Sequence, residues 1–170
     1  MNVHTAIASP VGELLLTGTV SADAKYGIVL SSLSMPGQRG AVVPGPDSVE
    51  DGDAFHAVTE KITAYFAGEP AVFDFDYATT GTPFQERVWR ALEDIPYGST
   101  TTYGALAETL DVPRAEVRAL GAAIGANPLL LVRPCHRVIG ADGTMRGYAA
   151  GVDRKVALLT REGALAPTLI

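Results

Sequence analysis

The balance of acidic and basic side chains changes around Gly81, and this change favours two compact parts over one continuous domain. Residues 1–81 contain three basic and ten acidic side chains, whereas residues 82–170 contain ten basic and nine acidic ones. The net charge of -6 at pH 7 therefore describes neither part. An anionic partner such as DNA would be repelled by the first part and tolerated by the second. We predict two domains, residues 1–78 and 79–170.

The first domain is predicted to be a small α+β unit. A stretch rich in Pro and Gly from Ser34 to Asp53 indicates a surface loop, because it cannot build a packed element. Apolar side chains at helical spacing predict a helix over 54–67, and the alternating residues 71–77 suit a strand or an extended connector. Segments rich in Val, Leu, Ile and Thr predict a three-stranded sheet from residues 3–8, 12–19 and 26–33.

The second domain is predicted to be helical. Thr82 and Pro83 are a helix N-cap followed by proline at the first helical position. Two short helices, Thr101 to Leu110 and Arg114 to Ile124, are separated by a turn, which is the spacing of a helix-turn-helix. Helical hairpins are common in proteins, so this spacing alone leaves DNA binding as one of several interpretations.

Composition narrows the class of protein. With 47% hydrophobic and 19% charged residues, the 170-residue chain is expected to be globular. It has no run of about 20 apolar residues and no secretory signal pattern at its start, so we expect no membrane association. A single cysteine excludes an internal disulfide and fits a cytoplasmic location.

That cysteine, Cys135, lies between Pro134 and the pair His136 and Arg137. A lone cysteine is more often a small core residue than a nucleophile. Positive charge beside it, however, would lower the pKa of the thiol below its usual value of about 8.5 and favour a nucleophile. If this segment is an extended strand, the side chains of Cys135 and His136 point to opposite faces, and a water or a bend must connect them. The three histidines are too scattered to predict a metal site.

The segment from Pro134 to Gly140, with Asn127-Pro128 before it, resembles the active-site sequence of the O6-alkylguanine-DNA alkyltransferases, or methylated-DNA–protein-cysteine methyltransferases. The resemblance is dense over residues 82–163 and thin before them. It includes Ser9–Gly12, Thr82–Gln85, Ile95–Gly98, Thr102-Tyr103, Gly147-Tyr148 and Lys155–Gly163.

The resemblance implies direct reversal of DNA damage. The alkyl group of O6-alkylguanine, and more weakly of O4-alkylthymine, would pass from double-stranded DNA irreversibly to the protein. It further implies a ribonuclease H-like sheet in the first domain and a helix-turn-helix in the second. The protein would be a monomer and would need no cofactor and no metal.

Roles follow for the matching catalytic residues. Cys135 would accept the alkyl group, His136 would deprotonate it through a water, and Glu162 would orient the imidazole. Tyr103 would donate a proton or hydrogen bond to the departing guanine. Lys155 would support that tyrosine.

The remaining roles concern the active-site turn and DNA. Asn127 would brace the turn. Arg118 would fill the gap that the flipped nucleotide leaves, because a buried thiol reaches O6 only after the base leaves the stack. The residues implied to contact DNA or the flipped base are Arg118, Thr102, Tyr103, Val138, Tyr148 and Ala149.

Three departures from the family pattern affect these expectations. Glu116 and Val117 precede Arg118 where small uncharged residues are usual, so we expect weaker affinity for DNA. Arg133 stands at a usually aliphatic position, and we expect it to extend into solvent. Ala150 lies in a loop that is usually richer in glycine. We expect the alanine to stiffen or narrow the pocket.

Three other functions stay open at this point. The first is a non-catalytic sensor of alkylated bases on the same scaffold, although such proteins lack the acceptor cysteine. The second is a cysteine hydrolase, which would turn over many times. The third is a helix-turn-helix regulator with a redox-active cysteine.

Overall fold

The computed structural model describes residues 1–69, 71–145 and 147–165. The chain separates into two compact units, Met1–Thr79 and Thr80–Ile170. None of the helices within the described ranges has the length and apolarity needed to cross a bilayer.

The first unit contains a mixed five-stranded sheet. Its central strands β1 (Asn2–Ile7), β2 (Leu14–Val20) and β3 (Ile28–Ser34) form an antiparallel meander. Two short strands, β4 (Val49–Glu50) and β5 (Asp76–Tyr77), add to its edges in the order β4-β1-β2-β3-β5. Each of them runs parallel to the central strand beside it.

The three predicted strands are confirmed as β1–β3, but the sheet has two more strands, and residues 34–53 are not entirely loop. Strand β5 lies within the alternating segment 71–77, which suited a strand or a connector, whereas β4 has only two residues, too few for an alternation of apolar and polar side chains to appear. Tertiary contacts hold β4 in place: the Thr5 hydroxyl donates to Glu50 at 2.9 Å, and the Asp51 amide donates to the His4 carbonyl at 3.0 Å. Such contacts leave no periodic signal in the sequence.

The helix of the first unit is close to its predicted position. A 3₁₀ turn at Asp53–Phe55 leads into α1 (His56–Phe66). The buried side chains of this segment share the spacing that predicted the helix, and they are Phe55, Val58, Ile62, Tyr65 and Phe66. Together with the buried strand residues they make up the hydrophobic core of this unit.

The second unit is mainly helical and contains every predicted catalytic residue. Over the residues described, its α-helices are α2 (Pro83–Leu92), α3 (Tyr103–Thr109), α4 (Val117–Gly125) and α5 (Val152–Arg161). Two short parallel strands, β6 (Thr101–Thr102) and β7 (Val138–Ile139), pair with each other. Helix α4 packs against both α2 and α3.

The two predicted short helices begin later than expected. Thr101 and Thr102 form β6, and Arg114–Glu116 is a 3₁₀ turn before α4. The side chain of Thr102 accepts a hydrogen bond from the Ala105 amide at 3.0 Å, so this threonine caps α3 instead of lying inside it.

Helix α2 begins where the sequence predicted. The Thr82 hydroxyl accepts from the Gln85 amide at 3.1 Å, and the Gln85 side chain accepts from the Thr82 amide at 3.0 Å. This reciprocal pair is a capping box, which satisfies two amides at the helix start. Just before it, a Cβ on Gly81 would come within 2.6 Å of the Trp89 ring, so only glycine fits there.

We expect Thr82→Ala to lower the free energy of unfolding of the second unit by about 1 kcal/mol, because the substitution removes the helix cap. Urea unfolding followed by the fluorescence of Trp89, the only tryptophan of the chain, measures this change. Thr82→Ser keeps the capping hydroxyl and is the matched control. Equal losses of stability in the two variants would contradict a capping role.

Candidate active site

The site is built on a tight run of turns between Asn127 and Cys135. The Asn127 amide nitrogen donates to the Arg133 carbonyl at 2.9 Å and to the Leu129 carbonyl at 3.4 Å. Its oxygen accepts from the Leu129 amide at 3.0 Å. Asn127 is 2% exposed, so these hydrogen bonds within the turn are shielded from water.

Two γ-turns bring the chain from this brace to the cysteine. The Val132 amide donates to the Leu130 carbonyl at 2.8 Å, which places Leu131 in the left-handed region at φ 71°. The Cys135 amide donates to the Arg133 carbonyl at 2.7 Å across Pro134, whose φ and ψ are -77° and 63°. A left-handed leucine is strained, so the surrounding contacts must hold it there.

Residues Cys135–Arg137 form a 3₁₀ turn, not the extended strand considered above. The strand interpretation is therefore wrong for this segment. The turn changes the directions of the three side chains, because successive residues no longer alternate between two faces.

The thiol of Cys135 lies in a buried environment and is 4% exposed. Burial raises the pKa of this thiol to about 11, although a hydrogen bond with Asn127 and the charge of Lys155 act in the opposite direction. The expectation that neighbouring charge lowers the pKa of the thiol is therefore wrong. At neutral pH the thiol is protonated, and it needs a base before it can attack.

His136, the next residue, carries an imidazole, which has the chemistry of a base. Its side chain is completely buried, and its Nε2 lies 2.8 Å from Oε2 of Glu162. Burial lowers the pKa of the imidazole, against the opposing effect of Glu162, so the ring is neutral at pH 7. Because a carboxylate only accepts, Nε2 carries the proton and Nδ1 is left as the acceptor. Among the described residues, Nδ1 has no hydrogen-bond partner.

Arg137 also binds the Glu162 carboxylate, whereas the sequence interpretation considered its charge only as an influence on the thiol. Its Nε donates to Oε1 at 2.7 Å and its Nη2 to Oε2 at 3.0 Å. Its Nη1 donates to the Ile95 carbonyl at 2.7 Å, and its guanidinium carbon lies 5.7 Å from the centre of the Tyr97 ring. The side chains of the adjacent residues His136 and Arg137 reach the same carboxylate because the chain turns tightly there. The proline before Cys135 is the feature of the sequence from which this turn could have been predicted.

Lys155 and Tyr103 lie together, and the charge of Lys155 acts on the Cys135 thiol. The ammonium of Lys155 lies 5.9 Å from the centre of the Tyr103 ring and donates to the Gly147 carbonyl at 3.2 Å. Lys155 is completely buried, and burial lowers the pKa of its ammonium to about 8. The structure thus brings Lys155 and Tyr103 together, while the role of this pair stays a prediction.

The residues predicted to contact DNA or the base divide into two groups. Tyr148 is buried with its ring centre 6.5 Å from that of His136, and Val138 is buried in β7. Ala149 is half-buried beside Tyr148. Arg118 is exposed on α4, and within the described ranges it takes no part in the contacts around Cys135.

Arg133 does not extend into solvent, so that expectation is wrong. It is 2% exposed, and its guanidinium carbon lies 5.2 Å from the centre of the Trp89 ring. Burial lowers the pKa of this guanidinium, whereas attraction from Glu93 and Glu86 opposes that change. A cation–π contact and two carboxylates on or beside α2 therefore hold it inside.

Residues that could hold a metal are not grouped in the part of the chain that the structure describes. There, no three side chains of His, Cys, Asp or Glu come close enough together to bind one ion.

Together the thiol, the His136–Glu162 pair and the Lys155–Tyr103 pair define a class of protein with a buried, base-activated cysteine nucleophile. The family model described as the DNA binding domain of 6-O-methylguanine DNA methyltransferase matches residues 83–164. The chain belongs to the methylated-DNA–protein-cysteine methyltransferase family, as the relatives described next show.

Two relatives carry the name methylated-DNA–protein-cysteine methyltransferase. The protein from Mycobacterium bovis is 43% identical over 169 residues, 96% of this chain and 94% of its own length. The protein from Methanosarcina acetivorans is 44% identical over 161 residues, 94% of this chain and 97% of its own length. The crystal structure of Mycobacterium tuberculosis OGT in complex with DNA has a TM-score of 0.84 and 41% identity, covering 95% of this chain and 93% of that one.

We expect Asn127→Ala to lower the free energy of unfolding by about 3 kcal/mol, because it leaves buried backbone groups of the active-site turn without partners. Urea unfolding followed by Trp89 fluorescence measures the loss. The chain has one other asparagine, the exposed Asn2, and Asn2→Ala should change stability by less than about 0.5 kcal/mol. A small effect of Asn127→Ala would contradict the bracing role.

Alkylation of Cys135 by iodoacetamide should depend on pH with a midpoint well above about 8.5, the usual pKa of a cysteine. Mass spectrometry measures the rate at each pH, and the same chain unfolded in urea is the control. Because the folded thiol keeps its proton to higher pH, its contribution to stability is complete below the unfolded pKa and declines as pH rises. A folded midpoint at or below the unfolded one would contradict the raised pKa.

Proposed function

We propose that this protein repairs DNA by transferring the alkyl group of O6-alkylguanine irreversibly to Cys135. The observation that carries this function is the location of the only cysteine: it is buried, hydrogen-bonded to Asn127 and adjacent to the His136–Glu162 pair. The relatives described above share the family and its named activity.

The chemical step is a displacement at the alkyl carbon. The sulfur of Cys135 attacks this carbon, a carbon–sulfur bond forms, and the bond from carbon to O6 breaks with its electron pair going to guanine. The thiol proton leaves the sulfur, and guanine takes up one proton. The products are a thioether on Cys135 and an unmodified guanine, so atoms and charges balance without a cofactor.

We assign the two proton transfers to two different pairs of residues. His136 accepts the thiol proton at Nδ1 through a water, since Nε2 is directed at Glu162. Tyr103 supplies the hydrogen bond or proton to guanine, and the Lys155 ammonium beside its ring favours this donation electrostatically. A protonated resting thiol protects the cysteine from other electrophiles until a substrate is bound.

The reaction ends after one event in each molecule. A thioether has no bond that the neighbouring groups can hydrolyse, and no second thiol exists in the chain to exchange with it. The protein is thus consumed by its own reaction.

We propose that α3 and α4 form a helix-turn-helix that presents the exposed Arg118 to the DNA duplex. The packing of α4 against α3 and the 3₁₀ turn before α4 support this interpretation. Arg118 then occupies the space of the flipped nucleotide, while Tyr148, Val138, Ala149 and the Thr102–Tyr103 segment line the pocket for the base. Glu116, also exposed, lowers the affinity by repelling phosphates.

For the first unit we propose a ribonuclease H-like fold. The antiparallel meander β1–β3 and the parallel position of β4 beside β1 support it. We place the protein in the cytoplasm, because the acceptor must remain a reduced thiol and that compartment keeps thiols reduced.

The test is the intact mass of the protein after incubation with excess duplex DNA that carries one O6-methylguanine. We expect a gain of one CH₂ that saturates at one per protein and is absent in Cys135→Ser. Preferential binding of the lesion without a mass gain would indicate the sensor function instead. Release of product without modification of the protein would indicate a hydrolase.

A further inference from the structure

The Glu162 carboxylate is bound by Arg137 through more hydrogen bonds than by His136. Arg137 meets both carboxylate oxygens, at 2.7 and 3.0 Å, whereas His136 meets only Oε2, at 2.8 Å. The guanidinium is anchored in turn by the Ile95 carbonyl, beyond the end of α2. A bidentate arginine fixes the plane of a carboxylate as well as its position.

This clamp determines where Oε2 lies relative to His136. Glu162 follows the last residue of α5, and a side chain at a helix end could turn about its own bonds. With both oxygens bound by one rigid, planar fork, such turning is prevented. The imidazole is then held by the carboxylate in the orientation that leaves Nδ1 available.

The charge of Arg137 acts on the same pair. The Glu162 side chain is 0% exposed, and a buried carboxylate without a cation would take up a proton. The Arg137 guanidinium supplies such a cation, which favours the ionised carboxylate, and its charge opposes protonation of His136. Among the described residues, Lys155 also faces His136 and opposes its protonation, and Cys135 and Tyr148 lie beside it.

We propose that Arg137 is a positioning residue for alkyl transfer: its guanidinium holds Glu162 in the ionised form and in the plane that keeps His136 ready to accept the thiol proton. This role rests on the proposed function. Arg137 acts through Glu162 and His136 and does not itself contact the reacting atoms.

The experiment compares Arg137→Met and Arg137→Lys with the wild-type protein. Methionine removes the charge and the fork, whereas lysine keeps the charge and loses the fork. Arg161→Met, an exposed arginine next to Glu162 in the chain, is the matched control for loss of one positive charge. Single-turnover rates of methyl transfer from O6-methylguanine duplex DNA are measured by mass at saturating DNA over a range of pH, with DNA affinity measured separately.

For Arg137→Met we expect a plateau rate lower by roughly ten- to a hundred-fold, because the base is no longer held in place. We also expect the fall in rate at acid pH to begin at higher pH, since the His136–Glu162 pair gains a proton more easily without the neighbouring cation. Arg137→Lys should keep the wild-type acid limb but have a reduced plateau. Affinity for DNA should be unchanged in both variants, and Arg161→Met should match the wild type throughout.

The proposal is overturned if Arg137→Met, folded by circular dichroism, has the plateau and acid limb of the wild type. If Arg137→Met does not fold, Arg137→Lys decides: a wild-type plateau overturns the proposal, and a reduced plateau with an unchanged acid limb supports it. A wild-type protein that never gains the methyl group overturns the proposed function itself, which distinguishes the two failures.

Discussion

The buried carboxylate of Glu162 is the interaction on which the geometry of the site depends. It joins three segments that are distant in sequence: the end of α5, the 3₁₀ turn that contains the nucleophile, and, through Arg137, the Ile95 carbonyl beyond α2. Each of these segments is short and has little regular structure near the site. Their relative positions are therefore fixed by charge-assisted hydrogen bonds, which are stronger than neutral ones and demand a particular geometry.

Burial determines how this nucleophile works. Many reactive cysteines are activated by a lowered pKa, so that the thiolate exists before the substrate arrives. In this protein burial raises the pKa of Cys135 to about 11, so the resting group is an unreactive thiol. In the reaction we propose, activation is coupled to binding, because the proton moves to His136 only when the alkyl group is in place. For a protein that reacts only once, this arrangement limits loss to unrelated electrophiles.

Structural features that depend on residues close together in the sequence were predicted correctly. The cap at Thr82 was predictable because a capping box involves residues only three positions apart. The assignment of catalytic residues came from the resemblance around Cys135 and stays a prediction. Strand β4 was missed because a two-residue strand has no periodicity, whereas β5 lies in the alternating segment 71–77. The raised pKa of Cys135 and the buried location of Arg133 were missed for a related reason: both depend on surroundings assembled from distant segments. Arg137 was assigned to the thiol because the sequence shows proximity along the chain but not direction in space.

The buried charged side chains are concentrated around the candidate active site. Arg133, His136, Lys155 and Glu162 are all less than 5% exposed, and all lie in the second unit. Burying such groups costs free energy that even good pairing offsets only in part, so stability alone does not explain them. In the reaction we propose, the groups near the thiol instead control its proton: His136 accepts it, Glu162 and Arg137 orient that acceptor, and Lys155 supports the Tyr103 donor. Arg133 differs, because its guanidinium contacts Trp89 and its backbone carbonyl receives hydrogen bonds from Asn127 and Cys135. Arg133 thus connects the active-site turn to α2. The segment that carries Cys135 is therefore held by the contacts of Arg133 as well as by those of Glu162.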